Sequence, residues 1–84
     1  MNSLEIQYFL TIVKYGSFTE AAQTLSVSQP AISKAISKLE ESLGTRLFNR
    51  NSRGVQLTRE GTILFQHVNT AFDSIGHGER GLKR

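Results

Sequence analysis

At 84 residues the chain is long enough for one domain built around one core. It has no cysteine, which excludes disulfides and cysteine-based metal sites, and its start, MNSLEIQYFL, lacks the basic residues and long apolar run of an export signal. No apolar run exceeds three residues, far short of a membrane span, so the expected setting is a bacterial-type cytoplasm.

The net charge of +3 is unevenly placed. Residues 1–45 hold Lys14, Lys34 and Lys38 against Glu5, Glu20, Glu40 and Glu41, a net of −1. Residues 46–84 hold seven basic and three acidic residues, a net of +4. Between Gly44 and Glu60 there are four arginines (Arg46, Arg50, Arg53 and Arg59) and no acid. Such a segment suits phosphate, and it equally suits a plain solvated loop.

The first element is a helix from Leu4 to about Tyr15. Leu4, Tyr8, Phe9, Ile12 and Val13 recur at helical spacing and form one apolar face, and Gly16 stops the helix. Ser17 opens a second helix through a capping box, its hydroxyl taking the Glu20 amide and the Glu20 carboxylate returning to Ser17. Phe18, Ala21, Ala22 and Leu25 follow at i, i+3, i+4 and i+7. This helix is therefore short and buried on one side, and its alanines admit a close neighbour.

Ser26-Val27-Ser28 breaks the pattern. Ser28 is a good N-cap, Val27 and Ile32 suit a hydrophobic staple, and Pro30 falls in the first turn, where its missing amide costs little. Ile32, Ile36, Leu39 and Leu43 make the buried stripe of a third helix that Gly44 ends. Two helices joined by a tight turn, over about residues 18–37, read as a helix-turn-helix.

Gln29, Pro30, Ser33, Lys34 and Ser37 lie off that stripe. Short polar side chains at a helix start reach base edges when that end enters a major groove, and the helix N-terminus favours phosphate. Carboxylates are absent from the first turns; Glu40 and Glu41 come later and read as a solvated pair. An ordinary polar surface is the competing interpretation of this face.

In TRLFNRNSRGVQLTREG, Leu47 and Phe48 precede a turn-rich basic tip from Asn49 to Gly54, and Val55 and Leu57 then alternate with Gln56 and Thr58. Two short strands over about residues 46–57 make a hairpin, which after a helix-turn-helix is a wing. Arg50 and Arg53 then stand where a wing meets phosphates or the minor groove. The alternative is an exposed basic hairpin with no ligand.

Thr58 is placed to cap the last helix. Gly61, Leu64, Val68, Ala71, Ile75, Gly78 and Leu82 recur in steps of three and four, a coiled-coil-like seam, with Ile63, Phe65 and Phe72 off it. A helix apolar on more than one side implies two packing partners: its own domain and the same helix of a second chain. Gly76, Gly78 and Gly81 each cost about 1 kcal/mol relative to alanine within a helix, so fraying is expected near Ile75.

These segments, in this order, resemble the N-terminal DNA-binding domain of LysR-type transcriptional regulators. The matching pieces are FLTIVKYGSFTEAAQTLSVSQPAISKAISKLEESLGTRLFNR and GVQLTREG. They include the Ser-Gln-Pro-Ala-Ile-Ser, Leu-Glu-X-X-Leu-Gly, Leu-Phe-X-Arg and Leu-Thr-X-X-Gly runs, and the resemblance covers residues 2–75. It implies a mostly α fold, a winged helix-turn-helix of three helices and a short two-stranded wing over residues 1–58. A long linker helix that dimerises is implied over residues 59–84. The implied function is control of transcription by a dimer bound to an imperfect palindrome in double-stranded DNA. A small-molecule effector would act through a further domain, which is expected to be absent from this chain, either an excised DNA-binding domain or a natural short form.

By the same resemblance, Gln29, Pro30, Ser33 and Lys34 read bases, and Ala31 touches a thymine methyl. Ser17, Thr19, Ser28, Lys38 and Arg50 go to the DNA backbone, and Arg53 enters the minor groove. Leu64, Val68, Ala71 and Ile75 form the implied dimer interface. Lys34 stands where relatives often carry arginine; it keeps the charge but lacks the bidentate fork that suits guanine. The tail GHGERGLKR is richer in glycine than a linker helix should be.

An enzyme is the weakest of the competing functions. The sequence has no glycine-rich phosphate loop and no paired carboxylates suited to a cleft, and it calls for no cofactor. His67 and His77 stand ten residues apart with no companion ligands, and each reads as a surface or interface histidine. RNA is disfavoured because Tyr8, Phe9, Phe18 and Phe48 fall on buried faces, leaving no stacking platform. A protein–protein dimerisation module with only non-specific DNA affinity is the runner-up. Salt separates the two: about six phosphate contacts weaken binding several-hundred-fold or more between 50 and 200 mM, whereas an apolar interface barely responds.

Overall fold

The computed structural model describes residues 2–51 and 54–69. Three helices, α1 (Ser3–Tyr15), α2 (Phe18–Leu25) and α3 (Gln29–Leu43), pack pairwise against one another. An antiparallel ribbon of β1 (Phe48–Asn51) and β2 (Gly54–Leu57) follows, and then a helix, α4, across residues 59–69. This is a mostly α winged helix-turn-helix. No helix among the described residues is long and apolar enough to cross a membrane.

Local chemistry sets the helix ends. α1 begins one residue earlier than its apolar pattern suggests, because Asn2 caps it: the Asn2 side chain accepts the Glu5 amide at 2.8 Å and the Glu5 carboxylate accepts the Asn2 amide at 3.2 Å. At Ser17 only half of the expected box forms. The hydroxyl accepts the Glu20 amide at 3.1 Å, and no return bond from the Glu20 carboxylate accompanies it. Gly16 and Gly44 end α1 and α3 in the left-handed conformation, at φ 66° and 71°, where a side chain would be strained. Ser26 takes the same role after α2 at φ 57°, and Val27 then donates its amide to the Ala22 carbonyl at 3.0 Å, turning the chain sharply into α3.

The core lies between the three helices and the base of the ribbon. Phe9, Ile12, Ala21, Ile32 and Leu39 are completely buried, and the Phe48 ring joins them between Phe9 and Phe18, with centroids 5.4 and 5.6 Å away. Each large side chain buried in this way contributes about 1.5–3 kcal/mol. Two residues assigned to buried stripes by their spacing are in fact open: Leu4 is 53% and Leu43 41% exposed. Both sit in terminal turns, where helical phase puts a residue on the inner side without supplying a neighbour to cover it.

The ribbon pairs Phe48 with Leu57, Asn49 with Gln56, Arg50 with Val55 and Asn51 with Gly54. This register corrects the expected tip of Asn49 to Gly54. Asn49, Arg50 and Asn51 belong to β1, and the connection is only residues 52–53. α4 is capped at Thr58, whose hydroxyl accepts the Gly61 amide at 2.9 Å and donates to the Arg46 carbonyl at 2.6 Å. The expected fraying near Ile75 lies outside the described residues.

Candidate nucleic-acid interface

The burial of Ile32, Ile36 and Leu39 fixes the rotation of α3 about its axis. Gln29, Pro30, Ala31, Lys34, Ser37 and Lys38 are consequently exposed, and Ser33 is half-buried at the edge of the same face. Ser28 caps this end, its Oγ accepting the Ala31 amide at 3.1 Å. The hydroxyl hydrogen is left to donate, the polarity that a phosphate oxygen requires. Ser17, the cap of α2, has the same arrangement.

The fold gathers residues of α2, α3 and both strands of the ribbon into one shallow concavity. Ser17 and Thr19 from the start of α2, Gln29 from the start of α3, and Arg50 and Asn51 from β1 all line it. The helix starts of α2 and α3 therefore border the same hollow, each with the partial positive charge of a helix N-terminus. Among the described residues that line it, Arg50 carries the only charge.

Arg50 is reached through the ribbon. Phe48 and Arg50 are two residues apart on β1 and so share a face. The Phe48 ring packs edge-on to Phe18, and the Arg50 guanidinium carbon lies 3.7 Å from the centroid of that same Phe18 ring. Arg50 Nη2 also donates to Ser33 Oγ at 3.4 Å. The arginine thus lies back along α3 instead of projecting from a loop. Arg53, the second expected wing arginine, lies outside the described residues.

Glu40 is not the solvated carboxylate expected of it. Its Oε2 accepts the amides of Leu47 at 2.7 Å and Phe48 at 3.3 Å, and it pairs with Arg46 Nε at 3.6 Å, with 15% of the side chain exposed. No local pattern announces this, because the partners are seven and eight residues further on. Glu41 is exposed as expected. Phe18 was legible as a core residue but not as the platform for Arg50.

On α4, Gly61 does not belong to an outward seam. It is buried against the chain's own Leu47 carbonyl, and a Cβ there would also sit 2.9 Å from Leu57 Cδ2. Leu64, expected at a dimer interface, is half-buried and packs against its own core together with Phe65. Val68 is half-buried, and Ile63 is the exposed large apolar residue of this helix, at 47%. Ala71 and Ile75 lie outside the described residues. His67 is exposed, and no group of three metal-ligating side chains occurs among the described residues.

Residues 4–62 match the family described as bacterial regulatory helix-turn-helix protein, lysR family. The SDS degradation transcriptional activation protein of a Pseudomonas species is 37% identical over 84 residues, covering 99% of this chain and 26% of that protein. The BenM_DBD/catB site 1 DNA complex superposes with a TM-score of 0.83 at 36% identity, covering all of this chain and 94% of that one. The CbnR_DBD–DNA complex superposes at 0.81 with 30% identity, covering both chains completely. The chain spans about a quarter of the length of the curated relatives it matches. The match over most of the chain, carried on the same winged architecture, shows that it belongs to the lysR family of bacterial regulatory helix-turn-helix proteins.

Proposed function

We propose that this chain is the DNA-reading part of a LysR-type transcriptional regulator that acts as a dimer in the cytoplasm on an imperfect palindrome. Each α3 enters a major groove, with Gln29, Pro30, Ala31, Ser33 and Lys34 toward the bases. Ser17, Thr19, Ser28, Lys38, Arg50 and Arg53 face the backbone or the minor groove. Two copies associate through residues 64–75, using Val68, Ala71 and Ile75 with the uncovered edge of Leu64. Two-fold symmetry then sets half-sites about one helical turn, or a multiple of it, apart. Any small-molecule effector acts through a part of the regulator outside these 84 residues.

The observation that carries this reading is the convergence of Ser17, Thr19, Gln29 and Arg50 on one concavity beside the exposed start of α3. Hydroxyl donors, two helix starts and a guanidinium suit a phosphate backbone, and the adjoining face offers side chains short enough to meet base edges. The relatives named above support it, since two of them are structures of complexes with DNA.

Selection of bound duplexes from a random pool at moderate salt tests the proposal. Enrichment of a two-fold symmetric motif is expected. Salt-sensitive retention without any motif would reduce the role to backbone affinity, and no retention of duplex beside salt-insensitive self-association would favour a protein interface.

A further inference from the structure

The contact between Arg50 and Ser33 goes beyond what a phosphate contact needs. A guanidinium has only N–H donors, so in the 3.4 Å bond from Arg50 Nη2 the Ser33 oxygen accepts. That bond is too long to hold an exposed arginine on its own. The Phe18 ring does the holding: it is buried, packed edge-on to Phe48, and has the guanidinium carbon 3.7 Å from its centroid. The arginine is therefore in place before any DNA arrives.

Among the described residues, none takes the hydrogen of the Ser33 hydroxyl. A helical hydroxyl commonly donates to the carbonyl four residues back, as Thr11 does to Gln7 at 2.7 Å and Thr62 to Thr58 at 3.0 Å. Ser33 makes no such bond among the described residues; its bond is the one from Arg50. A free serine hydroxyl reads donors and acceptors equally, since it rotates to suit. One whose oxygen faces a cation keeps its hydrogen for the outside, and the neighbouring charge strengthens it as a donor.

We infer that Arg50 is a positioning residue for base reading: it holds Ser33 as a hydrogen-bond donor and so directs it to an acceptor on a base edge. Purine N7, guanine O6 and thymine O4 qualify; the amino groups of cytosine and adenine do not. The inference rests on the DNA-reading function proposed above, and it gives the wing arginine a part in specificity as well as in affinity.

Duplex selection with the 84-residue chain, its Ser33→Ala variant and two Arg50 variants tests it. Arg50→Ala is the direct change. Arg50→Met is the second, because it keeps an unbranched side chain over Phe18 while removing every donor, and circular dichroism checks that the fold persists. One hydrogen bond corresponds to a base preference of about three- to tenfold. Ser33→Ala should lose that preference at one position of each half-site. The Arg50 variants should lose it at the same position, together with a uniform fall in affinity. An Arg50→Met motif unchanged at the position that Ser33→Ala relaxes would overturn the inference, as would a Ser33→Ala motif identical to that of the parent. Absence of any motif with the parent chain is a different result, and it brings down the DNA-reading proposal itself.

Discussion

The carboxylate of Glu40 accepts the backbone amide of Leu47 at 2.7 Å, tying the entry of the wing to the inner edge of α3. The same oxygen takes the Phe48 amide at 3.3 Å, so the start of β1 is held at two successive amides. Phe48 and Arg50 then project on one side of the strand, the first into the core and the second over Phe18. The placement of the wing arginine depends on this anchor.

Glu40→Ala should leave both amides poorly satisfied and destabilise the domain by about 2–3 kcal/mol, the cost of losing hydrogen bonds to a charged group. Glu40→Gln retains an acceptor oxygen and should cost about 1 kcal/mol or less. Urea midpoints at unchanged m separate the two variants. Equal losses would mean that the charge, through Arg46, matters more than the amides.

Gly61→Ala poses two effects of opposite sign. Alanine gains about 1 kcal/mol of helix propensity over glycine. Its Cβ, however, meets the Leu47 carbonyl, which is backbone and cannot turn aside. Overpacking of this kind costs about 1–3 kcal/mol, and here it should win. The expected result is a lower melting temperature, by about 4–8 °C for each net kcal/mol lost. A rise would show that α4 is not seated on Leu47.

Lys34 and Lys38 are both exposed on α3, one turn apart, and they should behave differently. Lys34→Ala should relax the preference at one base position by a factor corresponding to about 1–3 kcal/mol. Lys38→Ala should weaken all duplexes alike and lower the salt slope by about 1. Titration of matched and mismatched duplexes at several salt concentrations reads both effects. Reversed outcomes would exchange the two roles.

Dimerisation is best probed away from Leu64, since an aspartate there would enter the chain's own core. Val68→Asp and Ile75→Asp should reduce the mass seen by sedimentation while the helical circular dichroism persists. An unchanged mass in both variants would remove residues 64–75 from the dimer proposal.

Much of the architecture could be read along the chain because its causes are local. Ser17 and Ser28 cap the residues three positions ahead of them, Gly16 and Gly44 end the helices they follow, and the spacing of Ile32, Ile36 and Leu39 alone orients α3. The exposed start of α3 was therefore legible, and with it most of the proposed reading face. Leu4 and Leu43 mark the limit of that logic: periodicity assigns a side to a residue, but whether something covers that side is decided elsewhere.

What only the tertiary structure decided are the relationships between distant positions. Glu40 changed from a solvated charge to an anchor because β1 returns past α3, and Gly61 changed from a seam residue to a packing contact because α4 starts against Leu47. Arg50 was recognisable as a basic residue of a wing, but its approach to Ser33, seventeen residues earlier, requires the strand register of the ribbon and the fixed ring of Phe18. Spacing and capping act within a few residues and are written in the sequence. Hydrogen-bond polarity across elements depends on which groups packing brings together, and packing is a property of the whole core.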